Sequence, residues 1–452
     1  MATSCFSNKI FLAAKKPSTF TSTTTTTSRS TSGVLVGVLV DVLVHVAVDV
    51  VGLWLRTKAG LCLRGEFSCM LLDLFPECRN GRVRLRFDSF LQRVLYHPQH
   101  GYYCRPDLRF GKQGDFYTSP QVHPFFAEIL SEHFLQVWEN LDQPRPFVLF
   151  ECGPGDGTLA LQLLSTIGQR FERFAAAVRY IGLEVSHSLA EKQRQKLASF
   201  PANIVISRQL SAVSSQLSGV SCQLSATTPP VVAWQSQPII EKFSAVGLSP
   251  FEGVIFSNEF FDALPFRRIK RGRGRWLEQF VEIETTGIRT RWESTRWRPD
   301  TDIRLQIGGI VEWRDCAEDF YRLASRVLKK GIMLHIDYGD KRENLNPRGT
   351  MRTFFRHRLG EDPFVHLGKQ DITASVDFSH LIDLGQRYGF RSCLSRQREY
   401  LMERGILEKI ALRFQNPRAT QVKILQEKLA LKNLIVPGGI SDHFKVLLQE
   451  KG

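Results

Sequence analysis

Acidic residues beside closely spaced glycines form the pattern in this 452-residue sequence that is best suited to chemistry. The stretch FVLFECGPGDGTLALQLL, residues 147–164, runs from apolar residues into Glu151, passes Gly153, Gly155 and Gly157, and continues as an amphipathic pattern. This periodicity predicts a strand, a tight turn and the start of a helix. The first N–H groups of a helix have no partner within it, so such a turn can hold a small molecule.

The acids in the turn indicate which small molecule it holds. A dinucleotide site carries G-x-G-x-x-G and places a pyrophosphate on the helix N-terminus. Here the pattern is E-x-G-x-G-x-G, and Glu151 and Asp156 would repel a phosphate but offset the charge of a sulfonium. Glu184, at the end of the next predicted strand, is placed to accept hydrogen bonds from ribose hydroxyls. The pattern is typical of Rossmann-like S-adenosylmethionine-dependent methyltransferases, although a structural turn with a surface acid remains an alternative.

Alternating strands and helices must position these acids. Residues 147–200 predict a strand–helix–strand–helix unit, and therefore a parallel sheet with helices on its faces. Further strands are predicted at the start of 251–266 and in 329–340. Ligands of open α/β sheets bind at the carboxyl ends of the strands. We therefore expect Glu151, Glu184, Glu259 and Asp337 to border one pocket, with Asp262 one turn beyond Glu259.

Other segments are predicted around this core. Residues 87–103 predict a helix ended by Pro98 and then an aromatic loop. A repeat at 207–225 is interpreted as a surface insertion, and 268–310 as a β-rich excursion. The aromatic residues that could close over a ligand, or equally form core, are Tyr102, Tyr103, Phe116 and Tyr117. Thr118, Ser119 and Pro120 predict the start of a helix.

The N-terminal residues differ in composition from the rest. Residues 1–33 contain no acid and are rich in Ser and Thr, which predicts an organellar transit peptide, with a disordered tail as the alternative. Residues 34–85 are poorly specified; every even position from Val34 to Val50 is valine. This period of two does not suit a helix face, and Asp41 and Asp49 oppose membrane insertion. No transmembrane anchor is predicted.

The net charge and the cysteine content bear on whether the protein binds nucleic acid or a metal ion. The formal net charge is +15, and six of the nine residues 267–275 are basic. Such a cluster could contact nucleic acid or an acidic protein, but a solvated hairpin tip is the favoured interpretation, and no nucleic-acid partner is expected. The nine cysteines are scattered without metal-ligand spacing, which predicts reduced thiols in an intracellular compartment and no metal site.

Eight motifs in order extend the resemblance along residues 86–450. They are LYHPQHGYY, GDFYTSP, ECGPGDGTL, SNEFFDALP, IDYG, RGTMRTFFRHR, DITASVDF and FKVLLQ. Together they resemble the MidA-type family, whose eukaryotic members are mitochondrial arginine methyltransferases that assist respiratory complex I assembly. The resemblance implies an α/β, Rossmann-like seven-stranded class I methyltransferase fold with family-specific insertions. It also implies S-adenosyl-L-methionine as cofactor and symmetric dimethylation of an arginine on a protein substrate, a complex I core subunit.

The resemblance also assigns roles to residues. Glu151, Gly153, Gly155, Gly157 and Thr158 would surround the methionine part of the cofactor, and Glu184 would hold the ribose. Asn258, Glu259 and Asp262 would face the methyl group and its acceptor. An arginine guanidinium is a cation and must approach a cationic sulfonium, which nearby carboxylates make tolerable. Helix capping is the alternative for Glu259 and Asp262. The chain departs from the family at Asp156, where Arg or Gln is common.

Alternatives of other classes remain at this stage. One is an assembly chaperone that keeps the fold without transfer activity, and another is a nicotinamide-dependent oxidoreductase. The leader sequence and the family favour the mitochondrial matrix, with the chloroplast stroma, and a plastid methyltransferase of different substrate, as the alternative. The sequence leaves the oligomeric state open.

Overall fold

A computed structural model describes residues 69–108, 123–200, 205–209, 249–298, 303, 305–356, 358–415, 421–437 and 440–451. The predicted transit peptide, the valine-rich segment, Phe116, Tyr117 and the predicted helix start at 118–120 lie outside these residues, as does the predicted insertion beyond residue 209. Residues 207–209, assigned to that insertion from the sequence, form the end of a strand.

Strands and helices alternate along most of the chain. The strands are β1 (Val83–Arg86), β2 (Phe147–Cys152), β3 (Val178–Glu184), β4 (Val205–Gln209), β5 (Phe251–Asn258), β6 (Arg267–Arg271), β7 (Trp276–Glu284), β8 (Gly287–Thr295), β9 (Ile310–Trp313), β10 (Leu328–Asp340), β11 (Arg352–Phe355), β12 (Arg358–Gly360), β13 (Asp371–Thr373), β14 (Val376–Asp377), β15 (Arg391–Arg396) and β16 (Phe444–Lys451). The α-helices are α1 (Phe87–Tyr96), α2 (Phe125–Asn140), α3 (Thr158–Arg170), α4 (Glu172–Ala177), α5 (His187–Lys196), α6 (Asp315–Val327), α7 (Phe378–Arg387), α8 (Gln397–Glu403), α9 (Ile406–Gln415), α10 (Gln421–Ile435) and α11 (Ile440–His443).

A seven-strand path forms the centre of the fold, in the order β15-β16-β10-β5-β2-β3-β4. The pairs from β10 to β4 are parallel, whereas β16 runs antiparallel to both β10 and β15. The short β14 pairs with the end of β10. The predicted α/β class and seven-stranded sheet are confirmed. The carboxyl ends of β2, β3, β5 and β10 therefore meet at one edge.

The apolar runs of the sequence explain the central strands. All six residues of β2 are buried, and β3 is buried except at Arg179. Strands of a parallel sheet are covered on both faces and so carry continuous apolar runs. Helices α2 and α3 bury Phe134 and Leu163 against one face, and α6 buries Phe320 against the other. Each such side chain contributes about 1.5–3 kcal/mol by leaving water.

The predicted β-rich excursion forms a second, antiparallel sheet in the order β1-β7-β6-β9, with β8 paired to β7. The basic cluster spans the β6–β7 hairpin. Arg273 and Arg275 at its tip are exposed, as the solvated-tip interpretation expects. Arg267 is instead buried, and its Nε donates to Glu278 Oε1 at 2.7 Å. Arg267, at the start of the basic cluster, therefore stabilises the second sheet through this ion pair.

The folded core begins before residue 86, where the sequence analysis placed its start. Residues 69–74 are helical, and Leu71, Leu74 and Phe75 are at most 1% exposed. Strand β1 pairs antiparallel with β7 from Val83 opposite Ile283. No clear periodicity marks this short segment in the sequence, because its order depends on partners about two hundred residues away.

Three further features complete the fold. A small sheet in the order β12-β11-β13 lies beyond the central strands and carries Asp371 at the start of β13. Helix α2 begins at Phe125, five residues after the predicted Pro120. Among the residues that the structure describes, no helix combines the length and apolarity needed to cross a membrane.

Candidate functional site

The turn after β2 contains three residues in the left-handed backbone conformation, and all three are glycines. Gly153, Gly155 and Gly157 have φ values of 67°, 57° and 78°. The N–H of Gly153 bonds the carbonyl of Leu183 at 3.0 Å, which draws the turn against the end of β3. A Cβ on Gly153 would lie 3.0 Å from the Phe260 ring. Glycine therefore allows both the conformation and the close approach of the loop after β5.

Glu151 and Glu184 are buried acids at adjacent strand ends. Glu151 is 2% exposed, and its Oε2 accepts a hydrogen bond from the Tyr180 hydroxyl at 2.5 Å. Glu184 Oε1 accepts the N–H groups of Val185 and Ser186, both at 2.9 Å. Burial raises the pKa of each carboxyl to about 7. Two buried, incompletely neutralised acids at one pocket indicate a ligand that supplies donors or positive charge.

Asp156 has a different role from the one its charge suggested. Its Oδ2 pairs with Lys196 Nζ at 2.6 Å, and its Oδ1 accepts the N–H of Thr158 at 3.1 Å. The lysine also donates to Thr158 Oγ1 at 2.7 Å. Asp156 therefore caps the start of α3 and is neutralised by α5. Asp156 also lines the pocket, but its ion pair with Lys196 offsets its charge, so the electrostatic case for a sulfonium rests mainly on Glu151 and Glu184.

The loop after β5 carries the predicted acceptor-side residues. Glu259 has a φ of 55°, and its N–H bonds the carbonyl of Ile336 at 2.8 Å. Asn258 Nδ2 donates to Glu259 Oε1 at 3.0 Å. A non-glycine residue in the left-handed region is uncommon, and such strained residues cluster at functional sites. Glu259 is thus held in a fixed position beside the glycine turn.

Asp337 was expected at the pocket but lies beneath it. Its carboxylate is fully buried, and Oδ2 accepts the N–H groups of Phe260 and Phe261 at 3.1 and 2.8 Å. This acid therefore shapes the loop that carries Glu259 and Asp262. Burial, and then the charge of Asp262, raise the pKa of Asp337 well above its usual range.

Asp262 projects from the same loop into the pocket. Burial raises its pKa to about 6, while the guanidinium of Arg314 acts in the opposite direction. Arg314 is 4% exposed and donates to the backbone carbonyls of Asp262 and Ala374 at 3.3 and 2.6 Å. Asp262 therefore titrates in the range where a carboxylate can exchange protons.

One pocket gathers most of the predicted site. Its lining includes Glu151, Gly153, Gly155, Thr158, Glu184, Asn258, Glu259 and Asp262. Gly157 is buried behind this lining and is the N-cap residue directly before α3. The sequence analysis missed Tyr96, Val185, Leu189, Phe260, Ala263 and Asp371, which also line it. The motifs LYHPQHGYY and DITASVDF contain Tyr96 and Asp371 and could have pointed to them.

The aromatic residues proposed to close over the ligand divide into two roles. Tyr103 lines the pocket, and its ring lies 5.2 Å from that of Tyr96. Tyr102 is fully buried in the core beside α1. Phe116 and Tyr117 lie outside the described residues.

A family of S-adenosyl-L-methionine-dependent methyltransferases has a sequence model that matches residues 129–394, more than half of the chain. The chain belongs to this family. S-Adenosylmethionine is therefore the cofactor of this methyltransferase, and the nicotinamide alternative is set aside. The match covers the glycine turn, Glu184 and the loop after β5.

The pocket of the methyltransferase offers hydrogen-bond acceptors for the cofactor and for a second ligand. Asn258 Oδ1 and Asp262 Oδ1 are buried without a hydrogen-bond partner among the residues that the structure describes. Glu184 also accepts a hydrogen bond from the backbone of Gly155, and its Oε2 accepts a long one, 3.4 Å, from Gln193 Nε2. A long bond of this kind leaves Oε2 able to accept from ribose hydroxyls. Buried polar atoms normally have partners, so these atoms await a ligand that donates. In the described residues no group of three or more His, Cys, Asp or Glu side chains is arranged to hold a metal ion.

Named relatives and solved structures agree with this family. The chain is 29% identical to "Protein arginine methyltransferase NDUFAF7 homolog, mitochondrial" of Drosophila melanogaster, over 68% of this chain and 67% of that one. It is 27% identical to the Mus musculus "Protein arginine methyltransferase NDUFAF7, mitochondrial", over 70% of each chain. A Burkholderia thailandensis protein crystallised with S-adenosyl-homocysteine superimposes with a TM-score of 0.67 at 24% identity, covering 86% of this chain and 93% of its own. That likeness shows a shared fold.

Proposed function

We propose that this methyltransferase transfers methyl groups to arginine side chains of a protein in mitochondria. The observation that carries the proposal is the set of carboxylates, Glu259, Asp262 and Asp371, that line the pocket beside the glycine turn. An arginine guanidinium is cationic at every physiological pH and must meet a cationic sulfonium. Three acids at this point favour a cationic acceptor over an anionic one.

The pocket residues divide into two groups in this proposal. The glycine turn, Thr158, Glu151 and Glu184 hold the cofactor, whose sulfonium supplies the methyl group. Asn258, Glu259 and Asp262 hold and align the acceptor. Alignment for in-line displacement can supply roughly 7–11 kcal/mol of the barrier reduction, and the fixed position of Glu259 suits that role.

Asp262 has the properties of the group that takes up the released proton. When the guanidinium nitrogen forms its new C–N bond, the S–C bond breaks, and the nitrogen gives up one proton so that the product keeps a single positive charge. Asp262 Oδ1 lacks a hydrogen-bond partner among the described residues, and the pKa of this carboxyl is about 6. Asp262 shares a hydrogen bond with the buried carboxyl of Asp337, so the two acids take up and release protons together. Asp262 must be ionised to accept the released proton, so transfer should increase with pH as this pair loses a proton.

The relatives' names support arginine as acceptor and mitochondria as location, since both named relatives are mitochondrial arginine methyltransferases. The finer identity, symmetric dimethylation of a complex I core subunit in the matrix, follows from the motif resemblance. A fluorescent fusion of residues 1–60 tests the location. Mitochondrial import is expected, and import into chloroplasts or a cytosolic signal would contradict it.

Methyl transfer to a mitochondrial extract tests the activity. The full-length protein is incubated with S-adenosylmethionine labelled in the methyl group, and the labelled proteins are hydrolysed for amino-acid analysis. We expect label in methylated arginine, and Glu259→Gln should lower it at least 100-fold. The matched control is Glu252→Gln at the opposite end of β5, which should keep full activity.

Two outcomes would contradict the proposal. Label found only in lysine, or in no protein, would exclude arginine as the acceptor. Glu259→Gln that abolishes transfer but restores complex I assembly in cells lacking the protein would favour an assembly chaperone.

A further inference from the structure

Asp371 is a buried acid that lines the pocket but does not lie at the end of any strand of the central sheet. It is 1% exposed and lines the same pocket as Glu259 and Asp262. Strand β13, which it begins, pairs with β11 in the small sheet, with Asp371 opposite Phe354. Its carboxylate therefore adds a further acid to the wall that carries Glu259 and Asp262.

Tyr103, which also lines the pocket, holds the carboxylate of Asp371 in place. Its hydroxyl donates to Asp371 Oδ1 at 2.6 Å. The neighbouring Tyr96 hydroxyl donates to the Ala263 carbonyl at 2.8 Å, which places its ring beside the loop of Asp262. The two rings, with centroids 5.2 Å apart, both line the pocket. Tyrosine faces attract cations, and arginine stacks on them readily.

Arg314 joins Asp371's strand to the loop of Asp262. One guanidinium donates to the Asp262 carbonyl at 3.3 Å and to the Ala374 carbonyl, just beyond β13, at 2.6 Å. Ile372, next to Asp371, is 1% exposed in the core beside α1. The hydrogen bonds of Arg314 therefore hold the backbone beside both Asp262 and Asp371 in place.

The charge pattern places Asp371 on the acceptor side of the pocket. The pKa of the Tyr103 hydroxyl is raised by burial first, and then by Asp371, Tyr96 and Asp262. The pKa of the Tyr96 hydroxyl is likewise raised by burial, and then by Asp371, Glu184 and Asp262. Asp371 and Asp262 therefore both lie near the two tyrosine hydroxyls.

We propose that Asp371, held by Tyr103, is a second acceptor-binding carboxylate that pairs with the substrate guanidinium opposite Asp262. Two carboxylates and two tyrosine faces match a planar cation with donors along its edges better than the point charge of a lysine ammonium. Asp371 and both tyrosines come from elements outside the central sheet. This inference rests on the proposed arginine acceptor and adds a specificity determinant to it.

Variants of the full-length protein test this role through two separate readouts. The affinity for S-adenosyl-homocysteine is measured by calorimetry, and arginine labelling is measured across a dilution series of mitochondrial extract. We expect Asp371→Asn to raise the half-saturating extract concentration about 10-fold or more, because bonds to charged groups are strong. Its affinity for S-adenosyl-homocysteine should stay within about twofold of wild type. Asp362→Asn, in the exposed loop before β13, is the control and should leave both readouts unchanged.

Tyr103→Phe separates substrate binding from a structural role. If Asp371 contacts the acceptor, removing the tyrosine hydroxyl should have a several-fold smaller effect than Asp371→Asn. Equal effects of the two variants, or a parallel loss of S-adenosyl-homocysteine affinity in Asp371→Asn, would show that Asp371 only anchors Tyr103 and would overturn the inference. Unchanged half-saturation in Asp371→Asn would do the same while leaving the arginine acceptor intact. A wild-type protein that labels no arginine would instead refute the proposed function.

Discussion

Buried acids are the residues that most clearly trade stability for binding in this protein. Glu151 and Glu184 sit at adjacent strand ends with pKa values near 7, which means that burial disfavours their ionised forms. A carboxyl whose pKa is raised by folding contributes stability below its unfolded pKa of about 4.5, and this contribution is lost as the pH rises through 7. A bound ligand that donates hydrogen bonds or carries positive charge would offset this cost of burying Glu151 and Glu184.

Glu151→Gln should stabilise the protein free of cofactor. Glutamine can still accept the Tyr180 hydroxyl but has no charge to bury. A pKa raised from 4.5 to about 7 corresponds to roughly 3 kcal/mol, so the free energy of unfolding at pH 8 should rise by up to that amount. The gain should vanish near pH 4.5. Denaturant unfolding at both pH values measures this, and equal effects at both would contradict the assignment.

Asp156→Asn should change cofactor affinity little. The Asp156 charge is already neutralised by Lys196, and asparagine can keep the cap on Thr158. We expect the dissociation constant for S-adenosyl-homocysteine to change by less than about threefold, in keeping with a partly exposed ion pair. A loss above tenfold, measured by calorimetry, would restore the electrostatic role that the sequence suggested for this residue.

The sequence predicted the acids at the strand ends of the central sheet better than the pocket residues that other elements contribute. Glu151, Glu184 and Glu259 are recognisable because each follows an apolar run. Asp371 follows a polar segment, and Tyr96 lies within a helix, so neither position signals a pocket by itself. Asp337 shows the converse: its place at a strand end is as predicted, but its carboxylate turns inward to bond the backbone of the next loop.

Among the structural elements, we expect the glycine turn between β2 and α3 to tolerate the fewest substitutions. Gly153→Ala should lower the free energy of unfolding by about 1–2 kcal/mol, because its left-handed φ disfavours a side chain and its Cβ would meet Phe260. It should also weaken binding of S-adenosyl-homocysteine. The measurements are denaturant unfolding and calorimetric titration.

Gly168→Ala is the matched control for that change. Gly168 lies within α3, is exposed, and would have no atom within 4 Å of an added Cβ. Alanine there should stabilise the helix by about 0.5–1 kcal/mol and leave binding unaltered. Destabilisation by both variants would mean that α3, and not the turn, is the sensitive element.

Element prediction succeeded where the local pattern dominates. β2, β5, β10 and α1 lie within a few residues of their predicted bounds, because continuous apolar runs and a Pro stop signal are local features. Strand β1 was missed because its order comes from pairing with β7. Helix α2 begins at Phe125 directly after Pro124, whereas the helix start predicted at 118–120 lies outside the described residues.

At the scale of the whole molecule, elements outside the central sheet complete the pocket. The strand order with one antiparallel strand could be expected from the motif resemblance but not from periodicity, which carries no information on which strands are neighbours. The central sheet provides the glycine turn and Glu184. The helix α1, the following turn and the small sheet add Tyr96, Tyr103 and Asp371. The pocket is therefore lined both by the carboxyl edge of the central sheet and by elements outside it.

The central claim is that one pocket binds the cofactor through Glu184 and performs transfer through Glu259. Calorimetric titration of S-adenosyl-homocysteine into Glu184→Ala and Glu259→Gln, alongside their labelling of mitochondrial extract, tests it most directly. Glu184→Ala should lose about 10- to 100-fold in affinity, since bonds to a charged group contribute about 1.5–3 kcal/mol. Glu191→Gln, an exposed change on α5, should bind as wild type does. Glu259→Gln should bind as wild type does but transfer at least 100-fold more slowly. Full transfer by Glu259→Gln, or unchanged binding by Glu184→Ala, would contradict the account.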